Sequence, residues 1–459
     1  MPPGSASLRL AARIAAFRPS DVPDEVARRV RLALLDTLGA ALRAADPGYP
    51  AGRLVTRFVR GESGRPEASL IGQAARAGRA GAALVNATLA YYCDLEPHHA
   101  AAILHAPAVV FPAALAVGEA VGAAGRRVLA AMVVGLETAG RVSDALDPVA
   151  LYARGFHPTA IAGAFGAAAA AGVLLDLAPA RQAVALGLAC QQASGLLAWA
   201  TDPTEHSRPL NPGLAARNGV TAAALAVLGL GGPREPFDPP YDAFTAFSGT
   251  ARPEALERDW GERFYAAELS HKRYASCAFT HPGLDALLAL AAEHRLRPGD
   301  VARIVLRFPK SGAHMIDAHP LRSHCAQYVL PVGLVFGAVG FDDILRDRRR
   351  HPEVRRLAEA VEVLADPALD AEWPRRYVSE IEVRTRDGRT LGRRVPAARG
   401  TPENPMSADE IRTKYHALVE PVLPPRRAER LRALVEDLDR LSDVRMLGRL
   451  LRPRVRPRP

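Results

Sequence analysis

The chain has 459 residues, 49% hydrophobic and 24% charged, a globular balance that excludes a wholly disordered chain. Its 37 glycines and 38 prolines fall without a period, which excludes collagen-like and low-complexity repeats. The net charge is +10, but only Lys272, Lys310 and Lys414 are lysines among 59 basic residues; the arginines are scattered without interleaved aromatics, which argues against nucleic acid and suits small anionic substrates.

From residue 8 to about 231 the pattern is helical. Segment 24–42 carries Val26, Val30, Leu32, Leu35 and Leu38 near a 3.6-residue period, with Asp21 as cap and Pro23 in the first turn. Ala-rich segments 107–122, 126–146, 160–175, 179–199 and 213–228 follow, each bounded by Gly or Pro. Small residues on several faces predict a densely packed bundle. The lack of αβ alternation argues against a Rossmann or TIM-barrel fold for this half.

The character changes near Phe264. Segment 285–294 is helical, 302–308 alternates as a strand, and 327–339 and 353–364 predict helices. Strands 377–385 and 390–395 are joined through Asp387-Gly388, a hairpin signal. Residues 402–405 form a loop, and Ser407 to Glu410 is a capping box opening another helix. The terminal helices, to about 451, are expected to pack back onto the first part. The fold class is therefore mostly α. A large all-helical bundle, 1–263, is completed by C-terminal helices in 403–459, and a smaller α+β domain spans 264–402.

Cys93, Cys190, Cys277 and Cys325 are widely spaced and form no CxxC pair, which excludes a zinc ribbon or thioredoxin motif and fits a reducing compartment. Arg9, Arg13 and Arg18 interrupt the N-terminal segment, so no secretory leader is expected and a cytoplasmic location is. The apolar runs 160–175 and 220–230 are shorter than the ~20 residues a membrane span needs. The tail RPRVRPRP, 452–459, reads as a frayed end.

The most informative stretch is 86–112, NATLAYYCDLEPHHAAAILHAPAVVFP. Asp94, Glu96, His98, His99 and His105 lie there between two apolar helices. A loop can aim such groups into a cleft, and a carboxylate can fix the tautomer of a neighbouring histidine for proton transfer. The plain alternative is a solvated loop with incidental histidines. The same residues are metal-ligand types, but adjacent His98 and His99 give no HExxH helix, so no metal is expected, with a metal-dependent hydrolase on Asp94, Glu96, His98 and His105 as a further alternative. His157 precedes a long helix, with Thr159 as a cap and an anion favoured at its start. Arg208, in a loop SRPLNPG feeding another helix, is suited to clamp a carboxylate. Lys272 is notable because lysine is so rare here; it sits near Cys277, read as a small buried residue, and His281. No Walker A, GxGxxG or GxSxG motif has the right setting, so nucleotide, flavin and serine-hydrolase chemistry lack support.

Taken in order, LDTLG (35–39), the 86–112 stretch, GFHPTAIAGAFG (155–166), QQASGLL (191–197), 207–219, 272–285, YVLP (328–331) and ENPMS (403–407) resemble the MmgE/PrpD family over nearly the whole chain. That family includes 2-methylcitrate dehydratase, cis-aconitate decarboxylase and iminodisuccinate epimerase. The resemblance implies a homodimer of a helical domain and an α+β lid, without a cofactor, acting on small di- or tricarboxylates. It assigns catalytic roles to Asp94, His105, His157 and Lys272, with His105 the general base or acid and Asp94 orienting it. Substrate contacts fall on Arg208, His98, Tyr328, His281 and Cys277. Departures from the family pattern stand at His98, Arg208, Asn211 and Cys277. The expected reaction moves a proton beside a carboxylate, ranked as dehydration first, with epimerisation or decarboxylation as alternatives. A catalytically degenerate carboxylate-binding scaffold is the reading of another class.

Overall fold

The computed structural model describes residues 5–62 and 64–452. All but the first residue of the predicted frayed tail lies outside them. At the centre is the helix Pro158–Leu174, of which every residue but Val173 is buried. It packs against Ala106–Val121, Gly125–Ala145, Pro179–Gln192 and Ser207–Val227, and Arg79–Ala90 closes the group against Ser207–Val227. Ala and Gly make this packing close. A Cβ at Gly166 would fall 2.7 Å from the Gly135 carbonyl oxygen, and one at Gly219 would fall 2.5 Å from that of Ala164. A helix surrounded on all sides needs small residues all round, which is why the segment shows no single apolar stripe.

Two predicted helices of the bundle have different limits. The segment expected over 179–199 ends at Gln192: Ala193 is extended, and Gly195, at φ +134°, turns the chain before the 3₁₀ turn Leu197–Thr201. The SRPLNPG stretch expected as a loop is instead the first two turns of Ser207–Val227. The Asp202 carboxylate accepts from the Ser207 N–H at 3.1 Å and so starts the helix early.

After a short hairpin of β1 (Ala68–Ser69) with β2 (Arg76–Ala77), the remaining strands form one mixed sheet. They are β3 (Val301–Pro309), β4 (Val361–Asp366), β5 (Ser379–Thr385) and β6 (Thr390–Val395), in the order β4-β3-β5-β6. β4 runs parallel to β3, while β5 and β6 are antiparallel neighbours. Ile304, Leu306, Phe308, Ile381 and Val383 bury one face, and His281–His294 packs on β5 and β6. The helix expected over 353–364 is Pro352–Glu359 only; Val361 and its successors pair with Ile304 onward as β4. The parallel ladder supplies backbone partners that local propensity does not reveal.

Ala408–Val419, opened by the Ser407–Glu410 capping box, and Pro425–Glu436 both pack on Asp24–Ala44. The C-terminal segment thus returns to the helical part. Gly39 makes room there for Tyr415, since a Cβ at residue 39 would lie 3.3 Å from a carbon of the Tyr415 ring. Among the described residues, no helix is long and apolar enough to cross a membrane.

Candidate active site

Several chain segments deliver their ends to one place. Arg79–Ala90 runs out into the turn Tyr92–Asp94, where Cys93 (φ 61°) and Asp94 (φ 56°) are consecutive left-handed, non-glycine residues. Such a pair is costly and persists only where surrounding contacts enforce it. His105 and His157 are the N-cap residues of Ala106–Val121 and Pro158–Leu174, and Arg208 lies in the first turn of Ser207–Val227. Three helix N-termini therefore converge, which favours negative charge between them. The His105 N–H donates to Thr159 Oγ1 at 3.0 Å, tying the first two helices together. The extended segment holding Lys272 is joined to the 94–105 loop by paired backbone bonds, His98 N–H to Ser270 O (3.0 Å) and Ser270 N–H to His98 O (2.7 Å).

Asp94 is the hub. Its carboxylate contacts Lys272 Nζ and lies 2.9 Å from Arg208 Nη2, 3.6 Å from His105 Nδ1 and 3.7 Å from His324 Nε2. Burial would raise its pKa, but Arg208 and Lys272 hold it well below the usual carboxylate range. The Arg208 contact is an ion pair off the hydrogen-bond line, since Nη2 and Nε have no aligned acceptor. The Arg208 guanidinium lies 4.3 Å from the centre of the Tyr91 ring and 5.6 Å from that of Trp199.

The carboxylate that orients His105 is Glu96, not Asp94 as expected. Glu96 Oε1 is 2.6 Å from His105 Nδ1, a full ångström nearer than Asp94. With Glu96 ionised, Nδ1 carries the proton and Nε2 is the exchangeable nitrogen. Burial and the Lys272 charge lower the His105 pKa, against the pull of Asp94 and Glu96. His157 Nε2 meets the Tyr91 hydroxyl at 3.0 Å, and burial pushes this imidazole down to about 3. Burial also lowers His98 and His324, so both are neutral near pH 7.

Of the expected substrate contacts, Arg208, His98 and Cys277 are brought to this place. His98, His105, His157, Cys277, Trp199 and His324 help line a cavity of about 50 Å³. Burial raises the Cys277 thiol to about 12, so it is a small neutral wall and not a nucleophile. A larger cavity of about 250 Å³ adjoins it and shares His98, Ala278 and Tyr377 as lining; Lys272, His281 and Arg375 open onto this outer space. His281 bonds the Ser276 carbonyl at 3.1 Å and is among the lining of the outer cavity, not of the inner one. Tyr328 is not brought to either. Its hydroxyl contacts the Asp343 carbonyl and accepts from the Arg348 N–H at 3.1 Å, so it fastens a loop instead.

Sequence reasoning missed His324, Tyr91 and Trp199, and did not single out Glu96 from its cluster as the partner of His105. Glu96 had a signal, since it sits in the same charged cluster. His324 had none, because only the fold brings residue 324 to residue 94. Buried polar atoms without an aligned protein partner gather here: Arg208 Nε and Nη2, both ring nitrogens of His98, His157 Nδ1, Trp199 Nε1 and Glu96 Oε2. Native interiors keep such atoms few, and a cluster of them is apt for a polar ligand. Asp94, Glu96 and His105 are close enough to hold a metal ion, as are Asp94, Cys277 and His324. Both sets share Asp94, which already faces two cations, and the second relies on a protonated thiol. The donor chemistry therefore suits an anion better than a further cation.

The chain belongs to the MmgE/PrpD family: the MmgE/PrpD N-terminal domain matches residues 8–256 and the C-terminal domain matches 274–440. It is 28% identical to a cis-aconitate decarboxylase-like protein of Aspergillus oryzae, over 98% of each chain. It is also 27% identical to the cis-aconitate decarboxylase of Aspergillus terreus, over 94% of this chain and 92% of that one. The human cis-aconitate decarboxylase is 28% identical over 96% of this chain and 93% of its own. Family and relatives together make this chain an enzyme of a carboxylate-processing family.

Proposed function

We propose that the protein is a lyase that exchanges a proton for another group at a carbon beside a carboxylate of a small di- or tricarboxylate, without a cofactor. The observation carrying this reading is the His105–Glu96 couple set beside two cations, Arg208 and Lys272, amid a cluster of buried polar atoms without aligned protein partners. Substrate carboxylates would compete with Asp94 for Arg208 and Lys272. Charge that develops on those carboxylates as the carbon becomes electron-rich is stabilised there. His105 Nε2 moves the proton, and Glu96 holds the ring and balances its charge.

The named relatives favour decarboxylation over the dehydration ranked first from sequence. In a decarboxylation the C–C bond to the leaving carboxylate breaks, its electron pair stays on carbon, and protonated His105 supplies the proton that replaces carbon dioxide. In dehydration or epimerisation neutral His105 first removes a proton. We further propose that 1–263 with 403–459 and 264–402 act as two domains meeting at these cavities, and that the chain forms a homodimer, which sedimentation of the purified protein would check.

The test is proton NMR in D₂O with cis-aconitate, 2-methylcitrate, citrate and iminodisuccinate generated in place. Vinyl product signals from cis-aconitate, carrying one solvent deuterium and lost in His105→Ala, are the expected result. Loss of the hydroxyl from 2-methylcitrate would move the assignment to a dehydratase, and exchange without net product to an epimerase. Folded protein that gains thermal stability with these acids but transforms none of them would be the carboxylate-binding scaffold.

A further inference from the structure

A second buried charge cluster lies behind the site. Asp36, on Asp24–Ala44, is fully buried and makes two contacts. Its Oδ2 accepts from His271 Nδ1 at 2.8 Å, and its Oδ1 lies 2.6 Å from Lys414 Nζ. The Lys414 ammonium, from Ala408–Val419, donates its directed hydrogen bond to the Leu95 carbonyl at 2.7 Å. Each partner of Asp36 thus touches a neighbour of the catalytic pair: His271 precedes Lys272, and Leu95 follows Asp94. The His271 N–H is also fixed, donating to the Gly400 carbonyl at 2.8 Å. Gly400 permits this approach, since a Cβ there would lie 1.9 Å from the His271 carbonyl oxygen.

We propose that Asp36, His271 and Lys414 are positioning residues: one buried carboxylate fastens both the Asp94 turn and the Lys272 segment, and so sets the Asp94–Lys272 contact. The proposal rests on the reading of Asp94 and Lys272 as site residues. Three things carry it. The left-handed backbone at Cys93 and Asp94 needs an external restraint, and Lys414 holds the next carbonyl. The three groups belong to elements far apart in sequence, so the cluster sets the relative placement of those elements. None of the three lines the inner cavity, and Asp36 and Lys414 line neither cavity while His271 borders only the outer one, so the effect of Asp36 and Lys414 on chemistry would run through Asp94 and Lys272. The rival account is a buried ion pair that serves folding alone.

The rarity of lysine supplies the measurement. With only Lys272, Lys310 and Lys414 in the chain, ¹³Cε-lysine labelling gives three side-chain signals, assigned with Lys310→Arg and Lys414→Met. The variants are Asp36→Asn, Lys414→Met and Lys414→Arg, in the full chain. In Lys414→Met and Asp36→Asn, kcat is expected to fall about 100-fold with KM within about twofold, the effect of a small misplacement of reacting groups. The Lys272 signal is expected to move in both, while Lys414→Arg recovers much of kcat and the wild-type Lys272 shift. A folded Lys414→Met with wild-type kcat would overturn the proposal. So would a lost activity with the Lys272 signal unmoved. If Asp36→Asn does not fold, the two Lys414 variants decide. If the wild type turns over none of the carboxylates, the functional reading fails, and the Lys272 signal alone judges the positioning role.

Discussion

His105 has its Nδ1 against Glu96 and, with Glu96 ionised, its Nε2 left to exchange protons. Glu96→Gln keeps the shape but removes the charge that favours the imidazolium. We expect kcat to fall about 100-fold, within the range general acid–base catalysis contributes, with the Tm changed little. Steady-state kinetics and a melting curve check this. The pH profile separates the reactions. Burial beside Lys272 lowers the His105 pKa below its ordinary 6.5. A decarboxylation that needs protonated His105 loses kcat/KM as pH rises above that lowered value; a reaction that starts by proton abstraction loses it as pH falls below. Residue types showed the candidates Asp94, His98, His105, His157, Arg208 and Lys272 in sequence. They did not show which carboxylate would meet which histidine, because 94 and 96 lie in the same short stretch before 105 and separation along the chain does not decide between them. The backbone there turns through left-handed Cys93 and Asp94, a conformation that no local residue preference encodes.

Helices built on alanine and glycine are legible because Gly and Pro bound them, but their spacing depends on contacts between elements. Gly219 shows the balance. Replacing it by Ala gains about 1 kcal/mol of helix propensity. The new Cβ would sit 2.5 Å from the Ala164 carbonyl oxygen and 2.7 Å from the Ala168 nitrogen, and backbone cannot yield cheaply. Overpacking of ~1–3 kcal/mol outweighs the propensity, so Gly219→Ala is expected to lower the melting temperature. A melting temperature raised by the substitution would show that the two helices separate easily. Two of the elements misread from sequence share one cause. β4 takes its hydrogen bonds from β3, some 57 residues away, and Ser207–Val227 starts early through Asp202. Both depend on partners outside the segment.

Across the whole molecule, several histidines are buried uncharged. Burial holds His157 and His281 at about 3 in the folded protein, against 6.5 when exposed. Between those values the unfolded chain binds more protons than the folded one, so stability is full above about 6.5 and falls as pH drops. Asp94, held low by Arg208 and Lys272, adds a further loss at more acid pH as its unfolded form takes up a proton. Thermal melts from pH 7 to 4 should show a steadily falling Tm; a flat profile would mean these groups are solvated in the folded state. The mostly helical class and the family were legible because small-residue patterning and motif order extend over the chain. The convergence of three helix N-termini on one carboxylate was not, since it is set by packing. The most direct measurement is solvent deuterium incorporation into the carboxylate panel by wild type, Glu96→Gln and His105→Ala, each shown to be folded. We predict incorporation by wild type, a loss of about 100-fold in Glu96→Gln and none detectable in His105→Ala. Undiminished incorporation by His105→Ala would contradict the role given to this histidine.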